Sequence, residues 1–483
     1  MCAKLAALRP TPVVLASVFD KYLSDGVDDR NLQEFKDLLK GWMNRDPENA
    51  LPVVLQGLLD VSYGDFKGGL ETIVRASQLN QFRNYALEAH QETHRLLRQE
   101  GLTEIDIFVD VVSRASLGHT SLNRSMLSAL KFLARVSIEN QFRRNYAEAI
   151  RLADVEFRLA KNMRMSATGL VETCYAHWRH SDSAVRLCEL HLQKGDEAMA
   201  AHFAKESRRA CVTQRTFMSA MKSDYRKDPI NQLMREARSP KKPGSSPWDE
   251  IILTDEETDR FWSLIHKNEA QLRPQLEDQI RRGYSATVLK YLSDEERKSI
   301  EGETFPIDHF WKDRGKFYPV RFDIDSRKEL LTFLSAPRFD EDNDLPYFLQ
   351  ERARNALIHH REAAAMDELR PLLADKETPN ISARAAVVMA ALGDRSDLVG
   401  EEIEGNLFQE DAACWALALV GRSKSIPSLV QALVLDMWPG RITSGWDEAV
   451  SAYFALRDLT GQDFGLDEDK WSEWAERTGN KEK

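Results

Sequence analysis

The sequence predicts a mostly α-helical protein: an α-solenoid of helical hairpins, with a small middle module that is α or α+β. The 483 residues include only 23 Gly and 17 Pro, so few positions interrupt helices. Apolar residues recur at spacings of three and four, as in Leu32, Phe35 and Leu39, which is typical of amphipathic helices. Near the C-terminus, Ala-rich segments return about every 30 residues, a period typical of stacked helical repeats.

The N-terminal region is predicted to begin with helices at Pro12–Asp25 and Asn31–Asn44. Beyond them, small residues occur three times in pairs that are 12 positions apart: Gly57 and Gly69, Ser137 and Ala149, and Cys188 and Ala200. Small side chains at such positions let two backbones approach closely. Each pair is therefore expected to mark the contact between the two helices of a hairpin.

The predicted turns of these hairpins are Gly64-Asp65, Asn145-Tyr146 and Gly195-Asp196. Gly and Asn tolerate the left-handed conformation that ends many helices. The shared register resembles degenerate tetratricopeptide repeats, whose small residues lie where paired helices touch. The resemblance implies that residues 1–238 form an N-terminal array of helical hairpins.

Residues 205–242 form a basic segment, with 11 basic and 4 acidic side chains in a chain whose net charge is −11. The segment is either a solvated helix face or a docking site for an acidic partner or a nucleic acid backbone. The candidate contacts are Arg208, Arg209, Arg226 and Lys227.

A flexible linker is expected at residues 239–247, SPKKPGSSP. Its three Pro, one Gly and three Ser in nine residues do not sustain a helix. Such a segment is expected to be exposed and sensitive to proteases. It separates the N-terminal array from the rest of the chain.

Residues 248–344 are expected to form the middle module. Thr254–Arg282 begins with a helix-capping sequence and predicts a helix. Residues 320–324, VRFDI, alternate apolar and polar side chains and predict one short strand. Lys328–Leu334 returns to a helical pattern. The module is therefore either a small α+β insert or a set of irregular helices.

Residues 345–483 contain four similar segments, and each is predicted to open with a small residue at the start of a helix: Ala353, Ala385, Ala412 and Ala449. A second amphipathic segment follows each of the first three, at Ala363–Leu373, Asp397–Gly405 and Ile426–Leu435. Helix stops are predicted at Gly393-Asp394 and Gly421-Arg422, because Gly favours the left-handed conformation after a helix. This pattern resembles HEAT repeats, in particular the Ala-rich kind found in bacterial proteins.

The resemblance to HEAT repeats implies where a partner would bind. In such arrays the second helix of each pair lines the concave face, so the candidate partner-binding residues are Arg370, Glu401, Glu404 and Gln431. The run Leu459–Gly465, with Trp471 and Trp474, resembles the terminal cap of such an array. The two Trp residues share one helix face, where they either seal the last apolar layer or stack on a ligand.

The composition limits where the protein acts and what it binds. Five Cys form no disulfide framework, which favours a reducing cytoplasm. The first ten residues lack the apolar core of a signal peptide, and no run reaches the roughly 18 apolar residues of a membrane span. The acidic net charge disfavours nucleic acid as a partner, except through residues 205–242. We therefore expect a cytoplasmic protein that does not bind membranes.

The sequence contains no Walker loop, H-E-x-x-H, G-x-S-x-G or paired C-x-x-C motif. It therefore predicts neither an enzyme nor a cofactor. One set of residues has metal-ligand spacing: Cys174, His177, Cys188 and His191. Four such ligands could bind Zn²⁺ tetrahedrally, and ordinary packing in a hairpin is the alternative.

The pair His359-His360 is a second group with two interpretations. Polar or cationic side chains favour a helix C-terminus, so the pair either ends the first C-terminal helix or acts as a catalytic pair with Glu362 or Asp367. The favoured function is a non-catalytic scaffold or adaptor for protein partners. The alternatives are a regulatory target controlled through residues 239–247, and a metal-binding or enzymatic protein with an unrecognised site.

Overall fold

The fold is mostly α-helical. The computed structural model describes residues 11–25, 27, 30–101, 121–166, 170–204, 206–207, 232–233, 236–237, 255–268, 270–272, 274, 327–335, 345–360, 363–374, 379–407, 412–421, 423–434 and 446–479. Within these residues the regular structure is helical and no strand occurs. The predicted strand at 320–324 and the predicted linker at 239–247 lie outside the described residues.

The N-terminal region consists of helices that pack against their neighbours in sequence. Their bounds are α1 (Pro12–Asp25), α2 (Leu32–Arg45), α3 (Ala50–Ser62), α4 (Phe66–Ala76), α5 (Ala86–Gln99), α6 (Ser121–Phe142), α7 (Tyr146–Ser166) and α8 (Leu170–Lys194). Residues 197–204 are also helical. The prediction for α1 is confirmed at both ends, and α2 begins and ends one residue later than predicted.

The predicted hairpin contacts are confirmed for two of the three pairs of small residues. A Cβ atom on Gly57 would lie 2.7 Å from the carbonyl oxygen of Gly69, so α3 and α4 touch where only glycine fits. Between α6 and α7, the Ser137 hydroxyl donates to the carbonyl oxygen of Ala149 at 2.8 Å.

The turns of the three hairpins share one backbone geometry. The left-handed residues are Gly64 (φ 93°), Arg144 (φ 60°) and Gly195 (φ 82°). The turn predicted at Asn145-Tyr146 therefore lies one residue earlier, since Tyr146 already begins α7. Arg144 is the exception, because the other two turns have glycine here and a side chain in the left-handed conformation clashes with the backbone.

The C-terminal region begins with α9 (Asp255–Lys267) and α10 (Arg327–Leu334). It continues with α11 (Leu345–His360), α12 (Met366–Leu373), α13 (Pro379–Leu392), α14 (Asp397–Gly405), α15 (Ala413–Val420), α16 (Ile426–Val434), α17 (Trp446–Thr460) and α18 (Glu468–Gly479). Helix α10, which the sequence places in the middle module, packs against α11 and α13. The Arg384 guanidinium also donates to the carbonyl oxygen of Leu334 at 3.1 Å.

The repeated alanines lie where the C-terminal helices touch. Ala353, Ala385, Ala412 and Ala449 are all fully buried. Helices α11, α13, α15 and α17 contact one another in sequence order, and α12, α14 and α16 pack on them. Helix α11 starts at Leu345, so Ala353 lies in its middle rather than at its start. The helix stops at Gly393 and Gly421 are confirmed by φ values of 111° and 75°.

The N-terminal and C-terminal regions share one hydrophobic core. Helix α6 packs against α17. The ring of Phe142 stacks on Trp415 with centroids 4.7 Å apart, and the ring of Phe66 lies 4.7 Å from that of Tyr453. The side of the C-terminal region formed by α15 and α17 is therefore covered by N-terminal helices.

Candidate functional site

The exposed side of the C-terminal region is formed by α12, α14 and α16, and we call it the second-helix face. Three of the predicted partner-binding residues, Arg370, Glu401 and Gln431, are exposed there. The fourth, Glu404, is half-buried and accepts hydrogen bonds from Ser428 (2.8 Å) and Ser425 (3.3 Å). Glu404 therefore joins α14 to the α16 segment, whereas the other three face solvent.

An apolar side chain lies in the middle of this polar face. Leu398 is 64% exposed, while Val399 and Ile403 of the same helix are buried. Sequence reasoning missed Leu398, although its position could have revealed it. It falls on the side of α14 opposite the buried stripe, where an amphipathic helix normally carries polar residues.

The charges around Leu398 are mainly acidic. Helix α14 has acidic side chains and no basic residue. The ammonium of Lys424 lies 3.6 Å from carboxylate oxygens of both Asp397 and Glu401. Because all three side chains are largely exposed, these ion pairs are weak and exchangeable.

The candidate contacts of the basic segment lie outside the described residues. They are Arg208, Arg209, Arg226 and Lys227. The terminal Trp pair is described, and Trp471 is fully buried with its indole N–H bonded to the carbonyl oxygen of Gly465 at 2.9 Å. This contact fits the sealing role of Trp471, since no surface remains for a ligand.

The residues with metal-ligand spacing are spread along one helix. His177 and His191 both lie on α8, 14 positions apart, which corresponds to about 21 Å of helix. Cys188 is buried in the core of the hairpin, and the side chain of Cys174 lies outside the described ones. In the part of the chain that the structure describes, no three His, Cys, Asp or Glu side chains are grouped as metal ligands.

His177 is a buried neutral imidazole. Burial lowers its pKa to about 3, and the nearby positive charge of Arg164 acts in the same direction. His177 is therefore uncharged at neutral pH. Its environment is that of a packed core residue, in agreement with the packing alternative for this cluster.

Buried ion pairs join the neighbouring helices α7 and α8 of the N-terminal region. Glu156 is fully buried on α7 and accepts hydrogen bonds from Arg179 and Arg186 of α8. Arg179 also donates to the carbonyl oxygen of Leu130 on α6 at 3.1 Å. These charges face one another rather than an open cleft, which indicates a structural role.

A second buried network joins the N-terminal and C-terminal regions. Glu139 is fully buried on α6 and pairs with Arg135 at 3.2 Å and Arg143 at 2.7 Å. It also accepts a hydrogen bond from Ser451 of α17 at 2.7 Å. Arg143 reaches further, to the carboxylate of Asp458 at 2.7 Å. We call this set the junction network.

A small cleft lies beside the junction network, where α6, α7 and α8 meet α11. It is small and partly open to solvent. His359 lines it, with Nδ1 3.0 Å from the Tyr146 hydroxyl. Of the two residues predicted to act with the His pair, Asp367 is exposed on α12 and Glu362 lies outside the described residues. The lining residues are Gln141, Phe142, Arg144, Tyr146, Gln193, Asn355, Ile358 and His359.

Arg144 is the residue of this cleft that sequence reasoning missed. The register that places Gly64 and Gly195 seven positions after Gly57 and Cys188 places Arg144 seven positions after Ser137. Gly at position 144 would match the other two turns, whereas the turn was predicted at Asn145-Tyr146. The sequence alone shows that one of the three equivalent turn positions carries Arg instead of Gly, and this difference could have identified Arg144 as a candidate residue.

Comparisons with other proteins do not identify the chain. No family model matches it, and no curated protein or solved structure is similar to it. Among the described helices, none is long and apolar enough to cross a membrane.

Proposed function

We propose that the protein is a non-catalytic scaffold or adaptor, an α-solenoid of tetratricopeptide-like and then HEAT-like helical hairpins, that binds a protein partner through its second-helix face. The observation that carries this proposal is Leu398. A leucine that is 64% exposed in the middle of a polar helix face is unfavourable in water. A partner that covered it would recover that free energy.

The charges of the face indicate the chemistry of the partner. Asp397 and Glu401 flank Leu398, and Lys424 bridges them through exposed contacts. A partner carrying an apolar side chain next to Lys or Arg would cover Leu398 and replace Lys424 as the counter-charge. Such complementarity mainly sets the association rate and the specificity. The buried free thiols of Cys188 and Cys414 fit the expected reducing cytoplasm.

The opposite side of the C-terminal region supports this choice of face. Helices α15 and α17 are covered by the N-terminal region through Phe142 and Phe66. A partner would have to displace a shared hydrophobic core to bind there. The second-helix face needs no such rearrangement, because its side chains already contact solvent.

Affinity purification from the native host, followed by mass spectrometry, tests the proposal. Wild-type protein is compared with Leu398→Glu and with Leu96→Glu, which alters a leucine 48% exposed on α5. We expect a reproducible partner that is lost with Leu398→Glu and retained with Leu96→Glu. Circular dichroism confirms that both variants remain folded.

Charge reversal gives an independent test of the same face. Glu401→Lys should weaken capture of that partner, and raising the salt concentration should do so as well, because exposed charges are screened. A partner captured equally by wild type, Leu398→Glu and Glu401→Lys would show that binding takes place elsewhere. The absence of any specific partner at near-physiological salt would contradict the scaffold function itself.

A further inference from the structure

The cleft beside the junction network combines hydrogen-bonding groups with an apolar floor. Gln141, Gln193, Asn355, Tyr146 and His359 supply polar atoms, and Phe142 and Ile358 supply apolar surface. Among the described residues, no carboxylate side chain lines the cleft. The described side chains of the cleft therefore offer hydrogen-bond donors and a positive charge.

Arg144 supplies that positive charge from an unusual backbone position. Its φ of 60° places it in the left-handed region, where the equivalent turns have glycine. Non-glycine residues in this conformation are strained and occur often at functional sites. The strained backbone therefore favours a functional role for the Arg144 guanidinium, a group that glycine at this turn would lack.

The neighbouring arginine shows the contrast. Arg143 is committed to Glu139 and Asp458. Arg144 is exposed and lines the cleft, and among the described residues it forms no ion pair. Its guanidinium can therefore donate hydrogen bonds to an external anion without breaking an ion pair with a described residue.

We propose that this cleft binds a carboxylate of a peptide, with the guanidinium of Arg144 as the principal contact and Phe142 and Ile358 packing against an adjacent apolar side chain. Arginine pairs well with carboxylates, because two parallel N–H groups match the two oxygens. The side-chain amides of Gln141 and Gln193, bonded to each other at 3.0 Å, would supply further donors. Because the cleft is small and lies between helices, the end of a peptide reaches Arg144 more easily than a folded surface does.

The helix ends at the cleft have opposing electrostatic effects on a bound anion. The C-terminal ends of α6, α8 and α11 disfavour an anion, and the N-terminal end of α7 favours it. A direct charge-assisted hydrogen bond is stronger than the effect of an exposed helix end. The arginine is therefore expected to decide the sign of the ligand's charge.

The position of the cleft links ligand binding to the contact between the two regions. Arg144 and Tyr146 belong to the N-terminal region, while Asn355 and His359 belong to α11 of the C-terminal region. A ligand held by both would stabilise the arrangement in which they meet. This site uses none of the residues of the second-helix face, so the two proposals can fail independently.

Fluorescence anisotropy with the full chain and labelled tetrapeptides tests the proposal. The probes are a peptide ending in a free Leu carboxylate, the same peptide as its C-terminal amide, and an amidated peptide with an internal Glu. We expect the free acid to bind at least about tenfold more tightly than the plain amide, as the loss of a charged hydrogen bond implies. Binding of the third peptide would show that a side-chain carboxylate suffices.

Variants assign the effect to Arg144. We expect Arg144→Gly to weaken binding of the free acid at least about tenfold, and Arg144→Lys to weaken it less. The control Arg158→Ala removes an exposed arginine of α7 that pairs with Asp154 and should leave the affinity unchanged. Because glycine relieves the backbone strain, lost binding in Arg144→Gly does not reflect unfolding.

Two results would overturn the proposal. One is that no carboxylate peptide binds more tightly than its amide, and the other is that Arg144→Gly binds the free acid as well as wild type does. Leu398→Glu should retain this binding, so a failure of the second-helix face would leave the cleft intact.

Discussion

Glu139 and Glu156 form a natural comparison, because each is a fully buried carboxylate paired with two arginines. The partners of Glu156 come from α8, the helix that follows its own in sequence. The partners of Glu139 are Arg135 of its own helix and Arg143 just after that helix, but Glu139 also binds Ser451, which lies 312 positions along the chain. The same kind of group therefore joins two neighbouring helices in one place and two distant regions in the other.

The difference bears on what buried charges contribute. Taking a carboxylate and two guanidiniums out of water is costly, and an apolar cluster of the same size is often as stable. We infer that these buried charges contribute to the specificity of helix alignment, because a misaligned network leaves a charge unpaired. At Glu156 the closeness of α7 and α8 in sequence already restricts their alignment. At Glu139 no short connection aligns α6 with α17, so we infer that the junction network sets their register.

The largest expected effect comes from neutralising each glutamate. Glu139→Gln and Glu156→Gln should each destabilise the protein by about 3–5 kcal/mol, because the buried guanidiniums lose a fully buried counter-charge. The carboxylates that remain, Asp458 and Asp182, are more exposed. Denaturant unfolding followed by circular dichroism measures both. Glu148→Gln, which breaks a pair on the surface with Arg151, is the matched control and should cost under about 1 kcal/mol.

A cleavable version of the chain separates the two roles. With a protease site placed within 239–247 and cut, the two fragments should co-elute on gel filtration in wild type and in Glu156→Gln. They should separate in Glu139→Gln. Equal retention in both variants would show that the apolar contacts alone hold the regions together.

Acid should affect the packing of α8, the helix that pairs with Glu156, through His177. The pKa of His177 is lowered to about 3 in the folded protein, whereas an unfolded histidine has a pKa of about 6.5. The unfolded state therefore binds a proton that the folded state excludes, and stability falls as the pH drops below about 6.5. From pH 6.5 to 5 the loss from this residue should be about 1.6 kcal/mol.

Denaturant unfolding of wild type and His177→Gln across this range measures the contribution. The variant should show a shallower dependence on pH by about 1.4 kcal/mol per pH unit. An identical slope would mean that His177 is not the group that resists protonation.

A smaller effect distinguishes the turns of the hairpins. Arg144→Gly should stabilise the protein by about 1 kcal/mol, because glycine adopts the left-handed conformation without a clash. Gly195→Arg at the equivalent turn should destabilise it by a similar amount. Thermal unfolding checks both, and a destabilised Arg144→Gly would mean that the side chain of Arg144 contributes to folding.

The smallest effect is expected on the second-helix face. Lys424→Ala removes exposed contacts with Asp397 and Glu401 and should change the free energy of unfolding by less than about 0.5 kcal/mol. A larger change would show that the face is held by its own charges. In that case, weaker partner binding by variants of the second-helix face could also result from a change in stability.

The sequence predicted the local features well. Helices α1, α2, α10, α12, α14 and α16 lie within one to three residues of the predicted bounds, because apolar periodicity and glycine stops act over a few positions. The contact between Gly57 and Gly69 was also predictable, since both residues belong to one hairpin. Exposed positions such as Arg370, Glu401 and Gln431 follow from the same periodicity.

The candidate sites were harder to predict. Leu398 looks like an ordinary core leucine until the buried stripe of α14 is known. The pairing of Tyr146 with His359 joins residues 213 positions apart, and no short-range pattern signals it. The residues with metal-ligand spacing also depend on tertiary structure, because His177 and His191 lie 14 positions apart on one helix and a shared site would need other segments to bring ligands together.

By itself, the sequence determined the helices, their turns and the small residues at which paired helices meet, since these depend on backbone preferences and on burial within one hairpin. Only the tertiary structure decided that α6 packs on α17 and buries Glu139 against Ser451. It also decided that the cleft of Arg144 lies between two regions and that Leu398 remains uncovered. Contacts between distant segments depend on the shapes and charges of whole packed surfaces, which no local pattern in the sequence specifies.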